Sequence, residues 1–231
     1  MLENELQFEK TLFFQLNGSE SAFWDNFFYL YSYKWTWLLF YLCFLFIFCY
    51  KKNLKEIVCI LLAIGLVVLL CDQIASGFFK PFFHRFRPTH HPDFECQVKT
   101  VMGYRSGLYG FISSHASNAF GFAVFTLSVF RNRVYIVTIF LFALLTAYSR
   151  VYLGVHFISD VVAGALVGSL AGYSVYLLYR FVRCTWLKVE KNDTKSCFSP
   201  CESSFLCGIF GAHLTFLLLF SNQIVKFLFQ E

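Results

Sequence analysis

Six long stretches of this chain are almost free of charge, at about 27–50, 56–79, 113–130, 134–149, 156–182 and 205–229. A helix crossing a bilayer needs about 20 apolar residues, and its backbone polar groups must all be paired within the segment. Runs of this kind point to one fold class: an all-α polytopic membrane bundle of about six transmembrane helices. Only 14% of the 231 residues are charged, against about 25% in soluble domains. Ahead of the first run, Leu2, Leu6, Leu12, Phe13 and Leu16 alternate with Glu3, Glu5, Glu9 and Lys10. That pattern predicts an amphipathic helix lying on the membrane surface and stopping at Asn17-Gly18. The chain thus divides into an N-terminal surface segment (1–24), a membrane core (25–185), and a cytoplasmic segment with the sixth span (186–231). Glutamates at the start argue against a cleavable signal peptide. The nine cysteines do not form a disulfide framework: most lie in apolar runs, and Cys197 with Cys201 supply at most two metal ligands.

Basic residues orient the bundle. Lys51, Lys52, Lys55, Arg131, Arg133, Arg180, Arg183, Lys188, Lys191 and Lys195 follow the first, third and fifth runs, ten of nineteen Lys and Arg. Lysine and arginine in short loops mark the cytoplasmic side. They are split among loops rather than gathered in a patch, so nucleic acid is not a suggested partner. Both termini and the loop 80–112 then lie outside, and Lys80, Arg87, His115, Arg150, His156 and Asp160 converge on that outer face.

Three clusters meet there. In the stretch from Tyr148 to Asp160, His156 and Asp160 are four apart, which on a helix stacks them one turn apart. The carboxylate can hold one imidazole nitrogen and leave the other free as nucleophile or base. Arg150 precedes that helix, where a loop can present it, and arginine suits phosphate. The second cluster carries Lys80 and Arg87 before Pro88. The third is Ser113-Ser114-His115, at the start of a span. There the free N–H groups of a helix N-terminus favour an anion, and Ser113 can cap the helix. Three cations, hydroxyl donors, two histidines and one carboxylate form the set a phosphate monoester needs. One histidine attacks phosphorus and the other protonates the leaving oxygen. No cluster of Asp and Glu is present to hold magnesium, so the set calls for no metal and no cofactor. The alternative for the stretch 148–160 is a buried ion pair that ties two helices together.

The spacings carry a resemblance. Lys80 followed after six residues by Arg87-Pro88, Ser113 and His115 within Ile112-Ser113-Ser114-His115, and Ser149-Arg150 followed by His156 and Asp160 are similar to the motifs of the type-2 phosphatidic acid phosphatase family. The active site of that family is similar to that of vanadium haloperoxidases. The family pattern Pro-Ser-Gly-His is matched here in Ser and His only. The resemblance covers about 25–185. It implies a membrane lipid phosphatase in which His156 is the nucleophile, Asp160 orients it, and His115 is the general acid and then the base for water. Lys80, Arg87, Ser113, the Ser114 backbone and Arg150 would bind phosphate. Bacterial members act on lipid A, undecaprenyl diphosphate or phosphatidylglycerol phosphate. The short chain, the amphipathic start and the Ile-Ser-Ser-His variant resemble the lipid A phosphatase group. The expected place is the cytoplasmic membrane, with the site facing the periplasm or exterior.

Other polar residues are less specific. Asp72 shares a helical face with Ser76 and Lys80, and either supports Lys80 or pairs with another polar group in the bundle. His84 and Arg85 would touch a lipid headgroup. The segment from His90 to Asp93 reads as a solvated loop, and His213 as a packed histidine. A transporter, with Asp72 and the cations as its pathway, is the reading from a different class. It is disfavoured because the polar groups gather at one interface and no internal repeat is present.

Overall fold

A computed structural model describes residues 2–188 and 198–229. Helices build the fold: α1 (Leu2–Leu16), α2 (Ala22–Ser32), α3 (Leu38–Cys49), α4 (Leu54–Asp72), α5 (Lys80–Phe83), α6 (Ser114–Phe130), α7 (Arg133–Tyr152), α8 (Ile158–Trp186) and α9 (Pro200–Phe229). All six apolar runs are helical. Among the described residues four segments are long and apolar enough to cross a membrane: Leu54–Phe83, Arg133–Tyr152, Ile158–Trp186 and Pro200–Phe229. The bent pair Ala22–Ser32 and Lys34–Cys49 makes five if counted as one span. The expected six is therefore approximate, because α6 has only 17 residues. The charged stretch 189–197, with Lys191, Lys195 and Cys197, lies outside the described residues.

The first run is a broken helix rather than a continuous one. Tyr33 is extended (φ −80°, ψ 119°), and the two halves meet at 66°. The carbonyls freed by the break find new donors. Thr36 Oγ1 donates to Leu30 O at 2.8 Å and to Tyr33 O at 2.6 Å, and Trp37 Nε1 donates to Tyr31 O at 2.6 Å. A break at membrane depth persists only when its backbone is satisfied in this way. Trp37 is consequently buried, against Phe40, Phe142 and Phe210.

Two helices set the geometry of the polar end. Gly164, Gly168 and Gly172 form a stripe along α8 that meets the backbone of α6. A Cβ on these glycines would lie 2.6 Å from Ser113 O, 2.1 Å from Ser117 O and 2.3 Å from Gly121 O, respectively. Small residues at this spacing let membrane helices pack backbone to backbone. The contact fixes the N-terminus of α6 against that of α8, where Ser113 N donates to Asp160 O at 2.9 Å.

The N-terminal helix docks on protein. Phe13 is fully buried, 5.4 Å from the Phe157 ring. Just past its end, Asn17 Nδ2 donates to Lys99 O and Tyr152 O, both at 3.0 Å, and Asn17 Oδ1 accepts from Lys99 N at 2.8 Å. The amphipathic pattern was real, but part of its apolar side faces the bundle instead of lipid. At the opposite end of the bundle Lys52 pairs with Glu202 at 2.9 Å and Arg183 with Glu56 at 3.1 Å, tying α9 and α8 to the start of α4.

Candidate active site

Lys80 stands where α4 runs through a π-helical stretch, Gln73–Phe79, into α5. Such wide turns recur at functional sites because they re-aim side chains. Lys80 Nζ donates to Ser76 Oγ at 2.9 Å and to Ser114 Oγ at 2.7 Å. Ser114 therefore tethers the lysine. Asp72 accepts from Asn118 Nδ2 at 3.0 Å, so its direct hydrogen-bond partner is the neighbouring helix and not Lys80.

Arg87 is held by backbone pairing. Its N–H donates to Leu108 O at 3.0 Å, Gly110 N–H donates to Arg85 O at 2.8 Å, and Phe86 and Tyr109 form an isolated antiparallel bridge. Gly110 is a close approach: a Cβ there would lie 3.0 Å from Asp160 Oδ2 and 3.1 Å from Arg87 Cγ. Arg87 Nη1 donates to Val155 O at 2.9 Å and to His156 Nε2 at 2.7 Å. An arginine can only donate, so Nε2 is the lone-pair nitrogen. The proton is then on Nδ1, which faces Asp160 Oδ2 at 3.4 Å.

His156 is not on a helix, contrary to the stacking expected from its spacing. It precedes Phe157, the N-cap of α8, and Asp160 is the third helical residue. Asp160 reaches back to accept from Phe157 N at 3.0 Å, because Phe157 has no side-chain acceptor for capping. The pairing thus comes from cap geometry. Arg150 is likewise not in a loop but in the last turn of α7, 1% exposed. It donates to Ser32 Oγ and, at 3.1 Å, to Tyr104 Oη.

A cavity of about 330 Å³ is lined by Asp72, Lys80, Arg87, Ser114, His115 and His156 among others. Ser113 is fully buried as the N-cap of α6, accepting from Ala116 N at 3.4 Å. Ser113, Arg150 and Asp160 are buried next to this lining and are not part of it. The buried Nε atoms of Arg87 and Arg150 have no partner among the described residues, which fits donors meant for an anion. Burial, then the charges of Arg87 and Arg150, push His156 well below the ordinary histidine value, so its imidazole is neutral at pH 7. Burial and Arg150 lower Arg87 to about 10, which leaves it charged. His115 also borders two further cavities. One of about 540 Å³ is mostly apolar and includes Trp37, Tyr41, Ile64, Val68, Phe122 and Phe142. The other, of about 230 Å³, is lined by Tyr29, Ser32, Tyr33, Lys34, Tyr104 and Leu153.

Arg85, expected at a lipid headgroup, instead reaches inward. Its Nη1 donates to Asp160 Oδ1 at 2.8 Å and to Ser159 Oγ at 2.5 Å, and its Nη2 pairs with Glu9 Oε2 at 2.7 Å. No local spacing signalled this, since the partners lie 74 to 76 positions away. His213 packs beside the Trp37 ring at 4.6 Å. Among the described residues no group of three or more His, Cys, Asp or Glu could hold a metal.

The chain as a whole is similar to known proteins. A family model described as the PAP2 superfamily matches residues 56–184. A lipid A 4′-phosphatase of Porphyromonas gingivalis is 51% identical over 186 residues, 80% of this chain and 79% of that protein. A lipid A 4′-phosphatase of Bacteroides thetaiotaomicron is 35% identical over 176 residues, 76% of this chain and 77% of that protein. The crystal structure of Aquifex aeolicus LpxE aligns with a TM-score of 0.54 at 30% identity, covering 71% of this chain and 92% of that one. The family match spans more than half of the chain, and the relatives agree with it over most of their length. A multi-pass membrane phosphatase, and not a transporter, the chain belongs to the PAP2 superfamily.

Proposed function

We propose that this protein removes a phosphate from lipid A at the outer face of the cytoplasmic membrane through a phosphohistidine intermediate. The observation that carries the reading is the neutral His156, with its Nε2 lone pair among cations in a cavity that meets an apolar one at His115. Phosphate oxygens accept from Lys80, Arg87, Ser113, Arg150 and the Ser114 backbone, and drawing Arg87 onto them releases Nε2. Nε2 attacks phosphorus, the bond from phosphorus to the lipid oxygen breaks, and His115 gives that oxygen a proton. His115 then takes a proton from water, which attacks phosphorus, releases inorganic phosphate and restores His156. Asp160 holds Nδ1–H and balances the charge that grows on the ring, and Asp72 supports the cavity wall through Asn118. Tails would lie in the apolar cavity and the sugar in the tyrosine-lined one, since tyrosines offer faces for sugar rings and hydroxyls for hydrogen bonds.

The relatives named for lipid A 4′-phosphatase support lipid A, and the 4′ position, over undecaprenyl diphosphate or phosphatidylglycerol phosphate. The ten basic residues after the first, third and fifth runs support an outward-facing site. The test is phosphate release by the purified protein from these three lipids, with the remaining phosphate on lipid A located by mass spectrometry. Lipid A losing its 4′-phosphate fastest is the expected result, with His156→Ala below about a hundredth of the wild-type rate, since a lost covalent nucleophile costs orders of magnitude. A tenfold preference for undecaprenyl diphosphate would overturn the substrate, and an active His156→Ala the intermediate.

A further inference from the structure

The nucleophile's partner, Asp160, is held by a chain of charges that begins on α1. Glu9 Oε2 accepts from Arg85 Nη2 at 2.7 Å, Arg85 Nη1 donates to Asp160 Oδ1 at 2.8 Å, and Asp160 Oδ2 faces His156 Nδ1 at 3.4 Å. The other Glu9 oxygen, Oε1, accepts from Ser159 N at 2.8 Å. That N–H is one of the orphan donors at the start of α8, where the N-cap Phe157 has nothing to offer. The arginine is also held from below, over the Phe157 ring at 4.4 Å. Charges alternate along the chain, and Glu9 and Arg85 side chains are 18% and 26% exposed while Asp160 is fully buried.

We infer that Glu9 is a positioning residue for the phosphatase reaction: α1 reaches across the molecule to fix Arg85 against Asp160, and so sets the carboxylate that orients His156. The reasoning is geometric. Asp160 has two oxygens, and its useful one must face Nδ1. Arg85 occupies the other, and Glu9 fixes where Arg85 can be. Without Glu9 the guanidinium keeps its Ser159 and Asp160 bonds but loses its anchor at the surface, and the Ser159 N–H loses its acceptor. Partners that orient metal-ligating side chains from behind change affinity or activity by about 10- to 100-fold on removal, and the same scale is taken here for a group that orients a nucleophile through its carboxylate. Such a group leaves substrate binding largely alone, because it touches no substrate. The inference rests on His156 as the attacking group.

The test is a cycle on the full chain in detergent, with kcat, KM and melting temperature read for Glu9→Gln, Arg85→Gln, the double variant and Glu9→Asp. Expected are a kcat about tenfold lower for Glu9→Gln with KM within about twofold, and a loss of about a hundredfold for Arg85→Gln. The double variant should be no slower than Arg85→Gln, because Glu9 acts through that side chain. Glu9→Asp, which keeps the charge, should recover at least about threefold over Glu9→Gln. An unchanged kcat in Glu9→Gln, a raised KM alone, or losses that multiply in the double variant would each overturn the inference. If a variant does not survive extraction, the same split is measured in native membranes against protein amount. Failure of the underlying reading is separately visible, as an inert wild type or an active His156→Ala.

Discussion

The glycine stripe of α8 permits a test in which a single methyl group should silence the site from a distance. Gly168→Ala places a Cβ 2.1 Å from Ser117 O. Carbon and carbonyl oxygen do not approach that closely, so α6 must retreat by about 1 Å. Overpacking of this kind costs about 1–3 kcal/mol in a tight interface. Ser117 is one turn from Ser113, whose N–H bond to Asp160 O is 2.9 Å long. A retreat carried along α6 stretches that bond past its useful range and shifts His115 and Ser114 relative to His156. A displacement of about 1 Å costs about a hundredfold in rate. Gly172→Ala, with a Cβ 2.3 Å from Gly121 O, strains the same interface one turn further from the site. It should destabilise similarly and slow turnover less, by about tenfold. Gly65→Ala and Gly208→Ala meet nothing within 4 Å, and should match wild type or gain a little stability from better helix propensity. The assay is phosphate release with melting temperature in the same detergent. Gly168→Ala retaining more than half of wild-type kcat, at wild-type stability, would refute the claim that this backbone contact sets the site.

Chelation should leave activity unchanged and vanadate should inhibit, since Lys80, Arg87 and Arg150 carry the charge and the nearby carboxylates are already bonded to Asn118 and Arg85; loss on EDTA restored by magnesium would contradict this. His156 is held well below its ordinary value, first by burial and then by Arg87, so near pH 6.5 the unfolded chain takes up a proton that the folded site refuses. Stability should therefore be full above about pH 6.5 and fall below it, by up to about 1.4 kcal/mol per pH unit. His156→Gln should flatten that fall in melting temperature, and an equal slope in both proteins would count against it. Tyr33→Ala should lower kcat/KM for lipid A at least about fivefold while changing hydrolysis of phosphatidic acid less than twofold, because only the sugar would meet the tyrosine-lined cavity; equal losses would remove the sugar from it. In a cysteine-free background, Thr100→Cys should react with an impermeant maleimide in intact spheroplasts and Arg133→Cys only after lysis, and the reverse pattern would turn the site inward.

The apolar runs were legible because crossing a bilayer demands length and composition that nothing else in the chain imitates. The clusters around Lys80, His115 and His156 were legible because their spacings are local. Two local readings still misjudged the backbone. The interval from His156 to Asp160 equals one helical turn, but the helix begins between them. Arg150 was read as a loop residue because the fourth apolar run ends at about 149, yet α7 runs on through it. The bend at Tyr33 was hidden, since its support comes from the side chains of Thr36 and Trp37, within a run whose composition suits an unbroken span. Arg85 and Glu9 were out of reach for a different reason: their partners are set by how α1 folds back over the N-terminal end of α8, a contact between positions 150 residues apart.

The meeting of three cavities at His115 has a consequence for how products leave. On the proposed reaction the bond that breaks lies at the junction, so the two products are already on separate roads when it is cut. The dephosphorylated lipid is left with its tails in the apolar cavity and can slip sideways into the bilayer. The phosphoryl group is left on His156 among Lys80, Arg87 and Arg150, and after water attacks it departs toward water as inorganic phosphate. Neither has to pass the other. Free phosphate should then compete with the lipid for the cations, whereas accumulated dephosphorylated lipid, lacking the group those cations hold, should inhibit far more weakly.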